Sequence, residues 1–382
     1  MDAVTRAEST GDVKSVSPTE AIVCRSRTVR LRFADGVAHE VRVGESDTVL
    51  AASLRSGIQL IHQCKSGSCG TCVGRVTSGT LSMDSGAGHC LLPSEMALGQ
   101  RLLCLSTPLS DACVQLDYPS SFLRGDGPMC VVGQISAREW VAANVVRLGL
   151  NLSDAVGFDF RCGQYMRVRI PGTDQWRSYS VATTPTELPT VELLVRILPE
   201  GVMSDYLRDR CAIGDNVELE GPHGSFCLRA SQARHVMIAG GTGLAPIMSM
   251  LDQVRRIEGR RPKVLLSFGC ASPESLFYLE ELQARSDWMP NLEVRVTVDC
   301  GGANYRGAVG NPVGAVTAAD VADSNTMAYL CGPQPMIAAA RSHLKALGLR
   351  PENVFAELFA PSAQESLQSR CGTRQTSMEP EI

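Results

Sequence analysis

Four cysteines, Cys64, Cys69, Cys72 and Cys104, constrain this chain more than any other feature. Three fall in the run His62-Gln63-Cys64-Lys65-Ser66-Gly67-Ser68-Cys69-Gly70-Thr71-Cys72, and the fourth in Leu103-Cys104-Leu105. The pattern is C-x₄-C-x₂-C with a distant fourth cysteine, the ligand spacing of a plant-type [2Fe–2S] cluster. Four thiolates must reach tetrahedral irons, so the loop that carries three of them has to fold tightly around inorganic sulfide. Gly67 and Gly70 allow positive φ there, and small Ser66 and Ser68 let backbone N–H groups point at sulfur. A structural zinc site usually takes paired C-x₂-C units, and only one such pair is present. The spacing therefore predicts a carrier of single electrons.

At 382 residues the chain has room for about two to three domains. A net charge of −4 gives neither the basic field that nucleic acid needs nor a strong acidic one, so no nucleic-acid partner is expected. Fifteen cysteines do not imply a secreted disulfide framework. The start, Met1-Asp2-Ala3-Val4-Thr5-Arg6-Ala7-Glu8, lacks the basic and apolar regions of a signal peptide. No run of about 18 apolar residues exists, so no transmembrane helix and no membrane partner are expected. A reducing cytoplasm is the compartment these features predict, with the eleven cysteines outside the motif acting as small hydrophobes.

Along the chain, residues 1–26 are polar and aperiodic and read as a flexible tail. Alternation in Thr28–Phe33 and Val37–Val43 around Asp35-Gly36 predicts a hairpin, and Asp47 is placed to cap a helix through Leu54 that ends near Gly57. With the cysteine loop and a strand at Val73–Val76, residues 27–118 make a β-grasp ferredoxin arrangement. Residues 119–128 read as a linker. Strand-like runs at Met129–Ile135, Val145–Leu152, Tyr165–Ile170, Ser178–Ala182, Val191–Leu198 and Asn216–Glu220 predict an antiparallel β-barrel over 129–230. From His235, strands at His235–Ala239, Val264–Phe268, Leu292–Val298, Met327–Cys331 and Val354–Glu357 alternate with helices such as Ala245–Ile257 and Pro335–Leu347. Residues 231–360 therefore read as an open parallel α/β domain, and 361–382 as a second flexible tail.

Arg177-Ser178-Tyr179-Ser180 lies on a predicted strand, where period two puts Arg177 and Tyr179 on one face. A guanidinium and an aromatic plane pointing the same way suit a flavin nucleotide, although a surface Arg beside a half-buried Tyr gives the same four letters. A second signal supports the flavin. Gly201-Val202-Met203-Ser204 follows a strand and opens a helix, where free N–H groups and a hydroxyl can bind phosphate.

With these motifs in this order, the chain resembles the ferredoxin–NADP⁺ reductase superfamily. It is most similar to the reductase components of bacterial multicomponent ring-hydroxylating oxygenases, of the benzoate and anthranilate dioxygenase reductase type, over residues 27–360. The resemblance implies that Arg177, Tyr179 and Ser180 hold FAD, and that Gly201, Met203 and Ser204 contact its pyrophosphate. Relatives often carry Lys where this chain has Val202, which removes one charge near the phosphates. FAD rather than FMN is implied because the ferredoxin comes first.

Ile238-Ala239-Gly240-Gly241-Thr242-Gly243-Leu244-Ala245-Pro246 joins a strand to a helix. Its glycines can admit a pyrophosphate to the backbone, or serve only as a tight turn. Cys331-Gly332-Pro333 ends another strand at the same sheet edge, where ligands of such sheets bind. The resemblance implies that Cys331 lies beside the nicotinamide ring; the residues alone fit equally a buried cysteine that only packs. A C-terminal aromatic covers the flavin in the superfamily, and Phe359 is the candidate, with a core role as the alternative. After the strand at Leu292–Val298, NADPH-specific relatives place Ser and Arg, whereas this chain reads Asp299-Cys300-Gly301-Gly302. A carboxylate there suits a ribose 2′-OH and repels a 2′-phosphate, so NADH is favoured over NADPH, with Arg306 nearby as the counter-indication.

The chemistry implied needs no nucleophile: hydride passes from NADH to the flavin, and electrons then leave singly through the cluster. Ser180 is expected to hydrogen-bond near the reacting flavin nitrogen. The acceptor implied is an oxygenase component or an intermediate ferredoxin. A different acceptor, such as a deoxysugar dehydrase, and a redox-sensing module whose cluster reports rather than transmits are the rival readings. Residues 27–118 hold eight Lys/Arg and eight Asp/Glu, so gross charge names no partner.

Overall fold

Alternating apolar and polar residues build the first hairpin, β1 (Ser26–Arg32) and β2 (Ala38–Gly44). Val29, Leu31, Val41 and Val43 point inward and are buried, while Arg30, Arg32, Glu40 and Arg42 face solvent. Helix α1 (Val49–Arg55) follows, and its cap is Thr48 rather than Asp47. Thr48 is extended and its Oγ1 accepts the Ala51 N–H at 3.2 Å, while the Asp47 carboxylate pairs with Arg55 instead. Then come β3 (Val73–Ser78), β4 (Leu81–Met83), α2 (Pro93–Ala97), β5 (Gln100–Leu102), β6 (Ser106–Pro108) and β7 (Ala112–Gln115). The main sheet has the order β2-β1-β7-β3-β5, with β7 parallel to β1, and β4 pairs with β6 beside it. Phe33 and Tyr118 meet edge to face in its core, 5.7 Å between centroids.

This computed structural model describes residues 26–67, 69–83, 90–91, 93–123, 128–153, 155–302 and 304–359, with the side chains of Ser94 and Phe359 also outside the description. The tails expected at 1–26 and 361–382 lie outside it, save Ser26, as do residues 124–127 of the expected linker.

The middle region is a six-stranded antiparallel sheet. Its strands are β8 (Met129–Ala142), β9 (Val145–Ser153), β10 (Tyr165–Arg169), β11 (Trp176–Ser180), β12 (Thr190–Arg196) and, after a short helix α3 (Val202–Asp205), β13 (Asn216–His223). The order is β11-β10-β13-β8-β9-β12, and a bridge between Val181 and Leu193 links the two ends. Inward residues such as Ile135, Leu150, Val168, Leu193 and Leu219 fill the space it encloses. Strand β11 begins two residues before the expected Ser178, because its pairing with β10 extends to Trp176 opposite Arg169.

The last region is a six-stranded sheet of parallel strands. In chain order it runs β14 (His235–Gly240), α4 (Leu244–Arg255), β15 (Val264–Cys270), α5 (Leu279–Trp288), β16 (Leu292–Val298), β17 (Ala308–Val309), β18 (Met327–Pro333), α6 (Gln334–Ala346) and β19 (Val354–Phe359). Strand order is β17-β16-β15-β14-β18-β19. Helices cover both faces, so β14 and β15 are apolar on both sides. Met237 and Ala239 face the α4 core, while Val236 and Ile238 face the α6 core. The α4 core is continuous with Val145, Leu194 and Phe226 of the middle region, and Ser249 Oγ donates to the Thr183 carbonyl at 2.6 Å. Asp117 pairs with Arg229 of the middle region at 3.6 Å, and Glu95 pairs with Arg341 of the last region. Among the described residues no helix is long and apolar enough to cross a membrane.

Candidate functional site

The cysteine loop leaves α1 and doubles back into β3. Gly67 and Gly70 hold φ of +86° and +72°, as the loop's tight path requires, and Lys65 also has positive φ. The Ser66 N–H donates to Cys64 Sγ at 3.4 Å. Ser68, the other expected donor, lies outside the described residues. Cys72 and Cys104 are buried, and the Leu103 N–H donates to the Cys72 carbonyl at 3.0 Å, which draws the fourth cysteine to the other three. The thiols meet in two pairs, Cys64 with Cys69 and Cys72 with Cys104. The hydrogen bond from its partner and then burial raise Cys69 well above the usual thiol range, and the same two causes raise Cys72. Among the described residues no group of three or more His, Cys, Asp or Glu gathers about one metal-ion position. Two pairs of sulfur donors suit a binuclear iron–sulfur cluster, two ligands to each iron, better than a single ion. Cys90, assigned from sequence to packing alone, also touches this loop. Its N–H donates to the Gly67 carbonyl at 3.1 Å, and its Sγ lies 3.2 Å from where a Cβ on Gly70 would fall.

Strand β11 carries the residues expected at a flavin. Arg177 and Tyr179 share one face and are half-buried, and burial raises the Tyr179 phenol. The Arg177 guanidinium donates to the Trp176 carbonyl at 2.9 Å and to Gln175 Oε1 at 2.8 Å. Ser180, on the opposite face, is 4% exposed and donates to Glu357 Oε2 at 2.7 Å. At the turn before α3, Gly201 leaves room for the Ser204 hydroxyl, which a Cβ would approach to 2.8 Å. That hydroxyl accepts the Leu198 N–H at 2.9 Å, which leaves its proton and a second lone pair for a ligand. Met203 is buried in the sheet's core. The helix expected here is four residues of α-helix continued by a π-helical turn, Tyr206–Arg210.

The glycine loop after β14 is a 3₁₀ turn, Gly241–Gly243, leading into α4. Its glycines divide by task. A Cβ on Gly243 would come 2.2 Å from the Cys331 carbonyl, and one on Gly240 2.6 Å from Met336 Sδ, so both are small because protein packs on them. Gly241 alone has open space around it, at φ +54°, and offers its backbone to a ligand. Thr242 is buried between them. Cys331 is fully buried on β18, paired with Ala239 on one side and Glu357 on the other. Gly332 follows at φ +152°, crowded by Met336. Asp299, just past β16, is exposed and donates its N–H to the Cys270 carbonyl at 3.0 Å. Arg306 is exposed as well. Phe359 ends β19 opposite Pro333, and its side chain lies outside the described residues.

Glu357 is the residue that sequence reasoning left unassigned. Burial lifts its carboxyl from 4.5 to about 8, against the pull of the Ser180 hydrogen bond. The same carboxylate, after burial, raises the Cys331 thiol. Ser180, Glu357 and Cys331 thus bring together strands more than 150 residues apart. The one available signal was an acid in the otherwise apolar run Val354-Phe355-Ala356-Glu357-Leu358-Phe359.

Three family matches cover this geometry: a 2Fe-2S iron-sulfur cluster binding domain over residues 33–109, an oxidoreductase FAD-binding domain over 133–227, and an oxidoreductase NAD-binding domain over 237–342. The chain is 32% identical to the anthranilate 1,2-dioxygenase electron transfer component of Acinetobacter baylyi, over 88% of this chain and 98% of that one. It is 34% identical to the propane 2-monooxygenase reductase component of Mycolicibacterium smegmatis, over 85% and 95%. Among solved structures, the Amycolatopsis cytochrome P450 reductase GcoB is 29% identical and superposes with a TM-score of 0.63 over 87% of this chain and 99% of that one.

Proposed function

The chain belongs to the family of FAD- and NAD-binding reductases with a [2Fe–2S] domain that serve as electron-transfer components of oxygenases, and from that premise we propose how its own residues carry the transfer from NADH to such a component. The observation that carries this reading is the Ser180–Glu357 hydrogen bond, which joins the flavin strand to the nicotinamide sheet beside Cys331. When bound, NADH supplies hydride, FAD converts the pair of electrons to single ones, and the cluster passes them on.

Cys64 and Cys69 would ligate one iron, and Cys72 and Cys104 the other. On β11, Arg177 would hold the FAD pyrophosphate and Tyr179 would set the plane of the ring. Ser180 would donate its proton at the reacting flavin nitrogen, with Glu357 as its alternative acceptor. The N–H groups after Gly201, with the Ser204 proton and the packing of Met203, would complete the pyrophosphate cradle. Gly241 would receive the dinucleotide phosphates, while Gly240, Thr242 and Gly243 hold that turn against Cys331. Cys331 and Gly332 would shape the floor under the nicotinamide, and Asp299 would accept from the ribose 2′-OH, which favours NADH. Phe359 would cover the flavin.

The mixed sheet with β7 parallel to β1 supports reading residues 27–118 as a β-grasp domain. The Val181–Leu193 bridge supports a flavin barrel over 129–230, and the parallel sheet a nicotinamide domain over 231–360. No disulfide joins any two of the thirteen described cysteines, which suits a reducing cytoplasm. Cys104→Ser tests the order of carriers. The variant should lose the cluster's visible spectrum and cytochrome c reduction while keeping NADH-to-ferricyanide activity drawn from the flavin. Joint loss of both activities in a variant with full FAD content would sink the order proposed.

A further inference from the structure

The cluster loop is tied to the flavin strand through one side chain. Gln63, immediately before Cys64, accepts the Tyr165 phenol proton on Oε1 at 2.6 Å and donates from Nε2 to Ser178 Oγ at 2.8 Å. Both ends of its amide are therefore engaged across the boundary between the first and middle regions. Thr71, between Cys69 and Cys72, lies within hydrogen-bond reach of the same phenol. The Tyr165 ring is held independently of the loop. It stacks on His223 with centroids 5.4 Å apart and planes 21° apart, and the backbone of Gly224 is so near that a Cβ there would come 3.0 Å from the ring edge. Tyr165 is paired across the sheet with Ser180, and Ser178 with Arg167, so the tie lies along the strand read as the flavin's. At the loop's other shoulder Gly70 abuts Leu358, the neighbour of Glu357.

We propose that Tyr165 is a positioning residue for electron transfer between flavin and cluster, fixing the cluster loop against β11 through Gln63 and Thr71. The proposal rests on the assignment above of FAD to β11 and the cluster to the loop. The step it would serve takes the two electrons of a hydride-reduced flavin one at a time to the cluster, which would hand the first to the oxygenase component before accepting the second, with the flavin's proton released to solvent. Tyr165 is 6% exposed. If the loop swung away, its buried hydroxyl would be left unpaired, so the tie favours the docked loop by more than the bond's own strength.

The test mixes anaerobic holoprotein with NADH in a stopped-flow instrument, separating flavin reduction from the slower reduction of the cluster, and measures amide hydrogen exchange over residues 63–72. Tyr165→Phe should keep FAD, iron and the first phase, slow the second about five- to tenfold, and quicken exchange in the loop. Exposed Ser178→Ala, which carries little folding risk, should give a smaller slowing in the same phase. Tyr165→Phe combined with Gln63→Ala should be no slower than the slower single variant, since both break one tie. An unchanged second phase in fully loaded Tyr165→Phe overturns the proposal. So does equal slowing of both phases, which marks a general effect on the fold. A wild-type protein with no cluster phase at all would instead refute the carrier order, while quickened loop exchange in Tyr165→Phe would still report the tie.

Discussion

Glu357 holds a proton where most carboxyls have lost theirs. Burial raises it to about 8, so between about 4.5 and 8 the folded chain keeps a proton that the unfolded chain has released. Stability therefore falls as pH rises through that window. Melting temperatures should decline from about pH 5 to about pH 8, and Glu357→Gln should flatten that slope. An unaltered slope in the variant would assign it to another group. Asp299 is the residue to test for coenzyme choice. Asp299→Ser should lower the ratio of kcat/KM for NADH over NADPH by roughly tenfold, about 1.4 kcal/mol; an unmoved ratio places the discrimination elsewhere. The meeting of Cys64, Cys69, Cys72 and Cys104 in two pairs was legible in part, because the spacing of the first three is a local property of the chain. Glu357 was not, because its meaning comes from Ser180, 177 residues away. The glycine loop was legible in part: its letters marked a turn, but only the packing of Met336 and the Cys331 carbonyl separates Gly240 and Gly243 from Gly241.

Helix α1 shows how an element boundary escapes a reading by residue type. Asp47 and Thr48 are both good caps, and backbone geometry chose the second. Thr48→Ala should cost about 1 kcal/mol in urea unfolding. Asp47→Ala, which removes an exposed ion pair with Arg55, should cost about half that or less. The reverse ranking would return the cap to Asp47. Strand periodicity located all six strands of the middle sheet, because alternate residues fill its interior. What periodicity does not carry is the meeting of β11's end with β12, made by the Val181–Leu193 bridge and the Ala182 N–H donated to the Glu192 carbonyl at 2.8 Å. The π-helical continuation of α3 was likewise invisible, since no residue type marks it.

At the scale of the whole molecule, the three regions do not hang on their linkers. The α4 core runs into the middle sheet, Asp117 reaches an arginine of the middle region and Glu95 one of the last, and the cysteine loop is seated on β11 and against Leu358. No sequence pattern announced this, because each contact joins one residue to another far along the chain. Among the described residues of the loop, Lys65 and Ser66 are the exposed ones. Lys65→Glu should change the KM for the oxygenase component about three- to tenfold, less at high salt, while leaving NADH-to-ferricyanide turnover as it was. A KM that stays put would move the acceptor's footprint off this tip. The seating of the loop also divides the molecule's traffic. With NADH at the glycine loop after β14 and the oxygenase component at the cysteine loop, as proposed, neither would have to leave before the other lands, and steady-state kinetics should show both aboard together rather than taking turns.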